Sequence, residues 1–250
     1  ATPLALASLV VAACVLLAGL GASFSRGGWV GAACGMLAMA LLARSIRRWI
    51  LPALGVGVLV LALGGVGLLP DVIAQRLASI SRNLAIFDAG SVQVTDDNFA
   101  IVERMAQLQA GWRMFATHPL TGVGPGNYTP AYSDFAVLPW YASRGHAHNY
   151  YLQIAAEAGL FGLLAYFVLL AALVGCAILA LRRADSALQR SLVVGCCGII
   201  AATAGHNLFE NLHVLSMGIQ LAGVWGLLDW LASDTSERRL PTGVDECAIS

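Results

Sequence analysis

Two histidines and an asparagine, His146, His148 and Asn149, stand where a long apolar run begins in "HAHNYYLQIAAEAGLFG" (146–162). In the first turn of a helix that opens toward water, the positive helix end disfavours an imidazolium and keeps the His148 ring neutral. A neutral imidazole takes a proton from a hydroxyl at pH 7, so the chemistry expected of His148 is that of a general base. His146 is expected to be a neighbour at headgroup level. Gly159 and Gly162 share one face of the same helix, where missing side chains let another helix or a lipid chain pack close.

A second constellation is "SFSRGGWVG" (23–31). Arg26 is permanently charged and fork-shaped, and Gly27 and Gly28 open the helix that follows, whose free amide hydrogens and positive end favour phosphate oxygens. The chemistry indicated is anion binding. The plainer alternative is an interfacial arginine that snorkels to water beside Trp29. Glu103 and Arg104 form a third candidate, and from these residues alone Arg104 is a solvated-face charge in the neighbourhood of Glu103. Two metal readings carry little specificity: His146 and His148 with Glu157, and the Asp96–Asp97 pair.

These residues need a membrane frame, because the chain is 58% hydrophobic with 11% charged residues and its apolar blocks are too long for a small soluble core. Six segments have the length of membrane spans, near 3–22, 27–43, 50–69, 155–181, 192–209 and 212–231. Every basic residue is arginine, and the clusters "RSIRRW" (44–49), "RRADSALQR" (182–190) and "SERR" (236–239) mark cytoplasmic ends. Both termini then lie inside, with the turn at 23–28 and the stretch 70–154 outside. The expected organisation is three spans in 1–69, a helical outer region in 70–154, three spans in 155–231 and a cytoplasmic tail in 232–250.

Within the long outer stretch, Val72, Ile73, Leu77, Ile80, Leu84 and Phe87 share a helical face, which predicts an amphipathic surface helix. A second helix is expected from Phe99, capped by Asp97 or Asn98 and ended by Pro119, with Val102, Met105, Leu108 and Trp112 on one face. Gly122, Gly124, Pro125 and Gly126 then force an irregular loop. Cys14, Cys34, Cys176, Cys196 and Cys197 lie in predicted spans and Cys247 in the tail, so no disulfide framework is expected. The first residue is alanine and no basic stretch precedes the first span, which points to a fragment or a processed chain.

Taken together, "SFSRGGWVG", "ERMAQLQAGWRMFATHPLTGVGPGNY" and "HAHNYYLQIAAEAGLFG" resemble the O-antigen ligase superfamily of bacterial envelope membrane proteins. The most specific piece is a signature of His, then Asn, Ser or Gln, nine arbitrary residues, Gly, two more, and Gly, Thr or Tyr; His148, Asn149, Gly159 and Gly162 fit it completely. The resemblance implies an all-α integral membrane protein with a GT-C-type ligase fold, in the bacterial inner membrane with its active face periplasmic. It implies two arginines that hold the diphosphate of a polyprenyl-linked glycan and a histidine that assists the acceptor hydroxyl. By matching motifs these roles fall on Arg26, Arg104 and His148, with Gly27, Gly28, Asn149, Gly159 and Gly162 in support. Family members usually have more spans, so a carboxyl-terminal fragment is implied.

The implied reaction is inverting glycosyl transfer from a polyprenyl diphosphate-linked glycan to a lipid- or protein-linked acceptor, within the bilayer and without nucleic acid. A diphosphate leaves as an anion, so two arginines suffice to neutralise it and neither a metal nor another cofactor is expected. An O-antigen polymerase or a protein O-oligosaccharyltransferase shares the architecture and donor and differs in the acceptor. An anion or solute transporter related to bicarbonate carriers, or an inactive envelope scaffold, are the alternatives of another class. Paired discontinuous spans or an inverted repeat would mark the transporter, and neither is present in these six segments.

Overall fold

The computed structural model describes residues 2–23, 25–65, 87–213 and 217–233, except the side chains of residues 26, 46 and 60–65. Among them are eight α-helices and no strand: α1 (Pro3–Ala22), α2 (Arg26–Leu42), α3 (Arg44–Gly65), α4 (Phe99–Thr117), α5 (Tyr128–Phe135), α6 (Tyr150–Arg183), α7 (Ala187–His206) and α8 (Met217–Ala232). The amphipathic helix expected over 70–87 lies outside the described residues up to Ile86, as does the arginine cluster at 236–239. α1, α6 and α7 are long and apolar enough to cross a membrane, and α2 and α8 are shorter apolar helices. Large side chains such as Leu4, Leu16, Val58, Phe161 and Val168 point outward. That inversion of a soluble core is expected where the surroundings are hydrocarbon, and the chain is an all-α multi-pass membrane protein.

Two boundaries differ from the sequence expectation in ways that matter for the site. The final span starts at Met217 instead of residue 212, and 207–213 is a non-helical link between α7 and α8. The fourth span starts at Tyr150, five residues early, because Asn149 caps it by accepting the Leu152 amide at 2.9 Å.

α2 and α7 pack most closely, along a seam of glycines spaced one turn apart. A Cβ on Gly31 would lie 2.7 Å from the Ala202 carbonyl oxygen, and one on Gly35 2.7 Å from that of Gly198. Small residues let two backbones approach in this way without hydrocarbon-driven association. Gly27 continues the seam to the helix end, where its Cβ would lie 2.7 Å from Cδ2 of His206. At the other end Arg47 donates to the carbonyls of Ala40 and Leu41 at 2.8 and 3.1 Å, which satisfies the last turn of α2. There Ala177, Ala180, Val193, Cys196, Leu228 and Leu231 bring α6, α7 and α8 together.

α4 and α5 rest on the start of α6 through Ala110, Met114, Tyr128, Tyr132, Ala147 and Ala156. The buried face of α4 is Val102, Met105, Ala106, Gln107, Ala110, Gly111 and Met114, while Trp112 is 59% exposed. The expected stripe through Leu108 and Trp112 is therefore rotated, because Ala110 and Gly111 give Tyr128, Ala147 and Leu152 room to approach. Asn98 takes the cap position of α4, but its side chain turns back to accept the Thr95 amide at 2.7 Å.

The expectation for Gly159 and Gly162 changes as well. Gly159 breaks α6 with φ 63° and ψ −158°, and the backbone of Leu120 and Thr121 fills the space where its Cβ would stand. The freed backbone is repaired across the gap: Leu160 N–H donates to the Pro119 carbonyl at 2.8 Å and Val123 N–H to that of Ala156 at 2.9 Å. Gly162 faces Ala158 across the same break. Gly159 thus seats a loop and Gly162 clears its own helix, and neither faces a second helix. Gly159→Ala should cost more than the roughly 1–3 kcal/mol of holding an alanine in so sparsely populated a conformation. Gly126→Ala, at φ 79° with nothing within 4 Å, is the matched control in detergent thermal unfolding; equal losses would refute the docking role.

Candidate functional site

Four segments meet where the α7–α8 link crosses the start of α6. The link is stitched down through its carbonyls: Tyr150 N–H donates to that of Asn207 at 2.8 Å and Asn149 Nδ2 to that of Leu208 at 3.0 Å, while Tyr151 Oη holds the last turn of α7 at the Ala204 carbonyl, 2.9 Å away. His213 stacks on Tyr150 with ring centroids 4.0 Å apart. Glu210 is thereby held beside the histidines.

The Glu210 carboxylate is the centre of the cluster. Arg104 Nη2 donates to its Oε2 at 2.8 Å, and His148 Nδ1 lies 3.0 Å from its Oε1. His146 Nδ1 lies 3.3 Å from the same Oε1. Burial alone would raise the carboxyl pKa, but the hydrogen bond from His148 and the charges of His148, Arg104 and His146 hold it at about 2. An ionised carboxylate only accepts, so Nδ1 of His148 carries the hydrogen and Nε2 is left as the basic atom. Arg104 Nη2 is also 3.4 Å from that Nδ1, a contact between two donors that holds no bond of its own.

A strap from Ala142 to Asn149 carries both histidines, and two buried glutamines fix it. Gln107, fully buried in α4, donates to the Ala142 carbonyl at 3.0 Å and accepts the Arg144 amide at 3.2 Å. Gln153 accepts the Ala147 amide at 2.8 Å. Tyr128 donates to the Gln107 carbonyl at 2.7 Å, and burial, with Tyr132 and Glu157 nearby, pushes its phenol pKa up so that it stays a donor. His148 itself has φ 54°, one residue before the cap of α6.

Several sequence expectations are corrected by this geometry. His148 is outside the first helical turn and faces a carboxylate, so the helix end is not its main electrostatic neighbour. Arg104 is paired with Glu210, and Glu103 instead accepts from Arg144 Nε at 2.6 Å. Glu157 is remote from metal chemistry: it accepts the Gly126 and Tyr128 amides at 3.0 and 3.1 Å and Gln153 Nε2 at 2.8 Å, clamping the glycine loop. Trp29 is tied to the end of α1 through the Leu20 carbonyl at 3.0 Å. Gly28 N–H donates to the Ser25 hydroxyl at 3.1 Å, so one amide at the start of α2 is already taken. Arg26 is the first residue of α2, next to the Gly27 that meets His206; its side chain lies outside the described residues. Asp96 and Asp97 sit in a turn before α4.

Glu210, His206 and the two glutamines were missed. Glu210 fell between the expected spans 192–209 and 212–231, and the signal available was three ionisable residues, His206, Glu210 and His213, inside one apolar stretch. The ligand atoms of His146, His148 and Glu210 lie within 4.8 Å of one another, the spacing of a metal-binding group. Here the carboxylate already holds the Arg104 guanidinium, and a dication would compete with that fixed charge.

The geometry defines a class: a helical membrane protein that holds a histidine, an orienting carboxylate and a guanidinium at one end of its bundle. The chain belongs to the O-antigen ligase family, whose model, described as O-Antigen ligase, matches residues 10–167. Its function is of the O-antigen ligase type in glycan biosynthesis, and the family points to a glycan-transferring enzyme. A search of curated proteins found no match. The matched residues include Arg26, Arg104, His148, Gly159 and Gly162 and stop before Glu210.

The charge of Glu210 has a thermodynamic consequence. Its folded-state pKa, about 2, is below the ordinary value of 4.5, so its stabilisation is present above about pH 4.5 and fades as pH falls toward 2. Glu210→Gln keeps an acceptor and removes the charge. The gap in thermal midpoint between wild type and Glu210→Gln should close as pH falls from about 4.5 toward 2; a gap unchanged over that range would rule out the ionised form.

Proposed function

We propose that this protein transfers a glycan from a polyprenyl diphosphate donor to an acceptor hydroxyl with inversion, without a metal, at the periplasmic face of the bacterial inner membrane. In this scheme residues 70–154 form the periplasmic region. The observation that carries the reading is the Glu210 carboxylate on Nδ1 of His148, with Arg104 on the same carboxylate.

The carboxylate fixes the ring so that Nε2 meets the acceptor, as in catalytic His–carboxylate pairs generally. The acceptor O–H gives its proton to Nε2 while the oxygen attacks the anomeric carbon. The bond from that carbon to the diphosphate oxygen breaks on the opposite side, and its electron pair leaves with the diphosphate. Arg104 Nε and Nη1 have no hydrogen-bond partner among the described residues, which leaves donors on both sides of the guanidinium for phosphate oxygens. Arg26 is proposed as the second guanidinium, supported by the position of its backbone next to Gly27 and His206.

Two cavities support a lipid-linked donor. An open space of about 470 Å³ between the α1–α2 turn and α7 has Ser23, Ser25, Thr203 and His206 as its polar lining. A groove of about 350 Å³ between α2, α6 and α7 is lined wholly by apolar residues and cysteine, and it ends at Ala204, two residues from His206. It suits a polyprenyl tail.

His148→Ala should lower transfer by roughly 10²- to 10⁴-fold while the protein remains in the membrane. Wild-type rates in that variant would remove the base assignment. Arg26→Lys and Arg104→Lys keep the charge and lose the planar fork, so each should weaken donor use; full activity in both would exclude bidentate diphosphate binding. Transfer from a polyprenyl diphosphate glycan should persist in EDTA, and loss that added divalent cation restores would overturn metal independence.

A further inference from the structure

His148 holds a backbone conformation that a non-glycine residue rarely adopts, with φ 54°. Such a conformation persists where surrounding bonds over-determine it. One of those bonds comes from two residues back: the His148 backbone N–H donates to Nδ1 of His146 at 3.1 Å. An acceptor at residue i that takes the amide of residue i+2 is the pattern by which asparagine and aspartate side chains form local turns. Here an imidazole nitrogen plays that part. The two rings meet edge to face with centroids 4.3 Å apart, and both are mostly buried, 20% and 19% exposed.

The same Nδ1 lies 3.3 Å from Glu210 Oε1. One nitrogen cannot accept the His148 amide and donate to the carboxylate at once. With its proton on Nε2, His146 holds the amide and leaves Glu210 to His148 and Arg104. With a proton on Nδ1, it competes with His148 for Oε1 and the His148 amide loses its acceptor. The ionisable groups that face it are His148 from its own strap, Glu210 from the α7–α8 link and Arg104 from α4.

We propose that His146 is a positioning residue: as a neutral Nε2–H imidazole, it pins the His148 backbone through Nδ1 so that His148 alone takes the Glu210 carboxylate. This rests on His148 being the base of the proposed transfer. Burial, with His148 and Arg104 adding to it and Glu210 opposing, lowers the His146 pKa and so extends the range of the neutral ring.

Two measurements on the detergent-solubilised full chain separate this role from others. His146→Ala should lower kcat up to about 100-fold, the scale of a misplaced catalytic group, with donor KM nearly unchanged. His146→Asn, whose Oδ1 can accept the same amide, should recover most of that loss. An unchanged kcat in His146→Ala, or an Asn variant no better than Ala, would overturn the proposal, the second outcome because it makes the ring itself necessary. The other measurement needs neither transfer activity nor a folded His146 variant. Imidazole ¹⁵N NMR, assigned through substitutions of the other histidines, should show His146 as the Nε2–H tautomer at neutral pH. That form should persist below the pH of about 6.5 at which a free imidazole titrates. A wild-type Nδ1–H tautomer would overturn the positioning role even if transfer is intact, whereas the expected tautomer in a chain without transfer would count against the glycosyl-transfer reading alone.

Discussion

A carboxylate half-buried at the edge of an apolar bundle is costly unless its charge is met, and Glu210 meets that demand by gathering residues from three parts of the chain. Arg104 comes from α4, His148 from the strap before α6, and Glu210 itself from the link after α7. The bonds from Tyr150 and Asn149 to the link, and from Tyr151 to the last turn of α7, are the mechanical counterpart of this attraction, since they hold the carboxylate in place. Desolvation and pairing pull the Glu210 pKa in opposite directions, and pairing prevails because His148 and Arg104 both meet one carboxylate.

The glycines carry the same plan into the backbone. The α2–α7 seam brings Gly27 against His206 and so sets the start of α2 beside the link that bears Glu210. The break at Gly159 lets loop 119–123 hydrogen-bond into α6, and Glu157 then clamps Gly126 and Tyr128 from the same helix. α4 is carried on that loop, so the position of Arg104 depends on a left-handed glycine far along the chain. Both devices place backbone where a side chain would otherwise stand.

Much of the frame was legible because it is periodic or punctuated. The apolar blocks, the end of α4 before Pro119 and the arginine-marked helix ends follow from local composition, and the helices occupy nearly those ranges. The family likewise followed from short motifs, since His148, Asn149, Gly159 and Gly162 stand at fixed spacing. What was illegible depends on contacts between distant residues. Glu210 lies 62 residues from His148 and 106 from Arg104, and no local pattern joins them. Gln107 and Gln153 look like ordinary polar helix residues, and only a strap folded over them turns their amides into buried partners. Gly159 was placed on a helix face because helical period is a good guess inside an apolar run. Its left-handed break follows from a loop whose route the run does not encode.

The pairing of Arg104 with Glu210 also shapes the electrostatics of the proposed reaction. At rest the guanidinium and the carboxylate cancel, so Arg104 by itself brings little net positive charge to a diphosphate. When His148 takes the acceptor proton, the cluster becomes cationic just as negative charge develops on the leaving oxygen. Proton uptake and bond cleavage then favour each other, and between partly buried groups that mutual stabilisation is stronger than it would be in solution. A second guanidinium is still needed to bind the donor before the proton moves. That is the physical case for Arg26, which opens α2 at the end of the bundle where Gly27 meets His206.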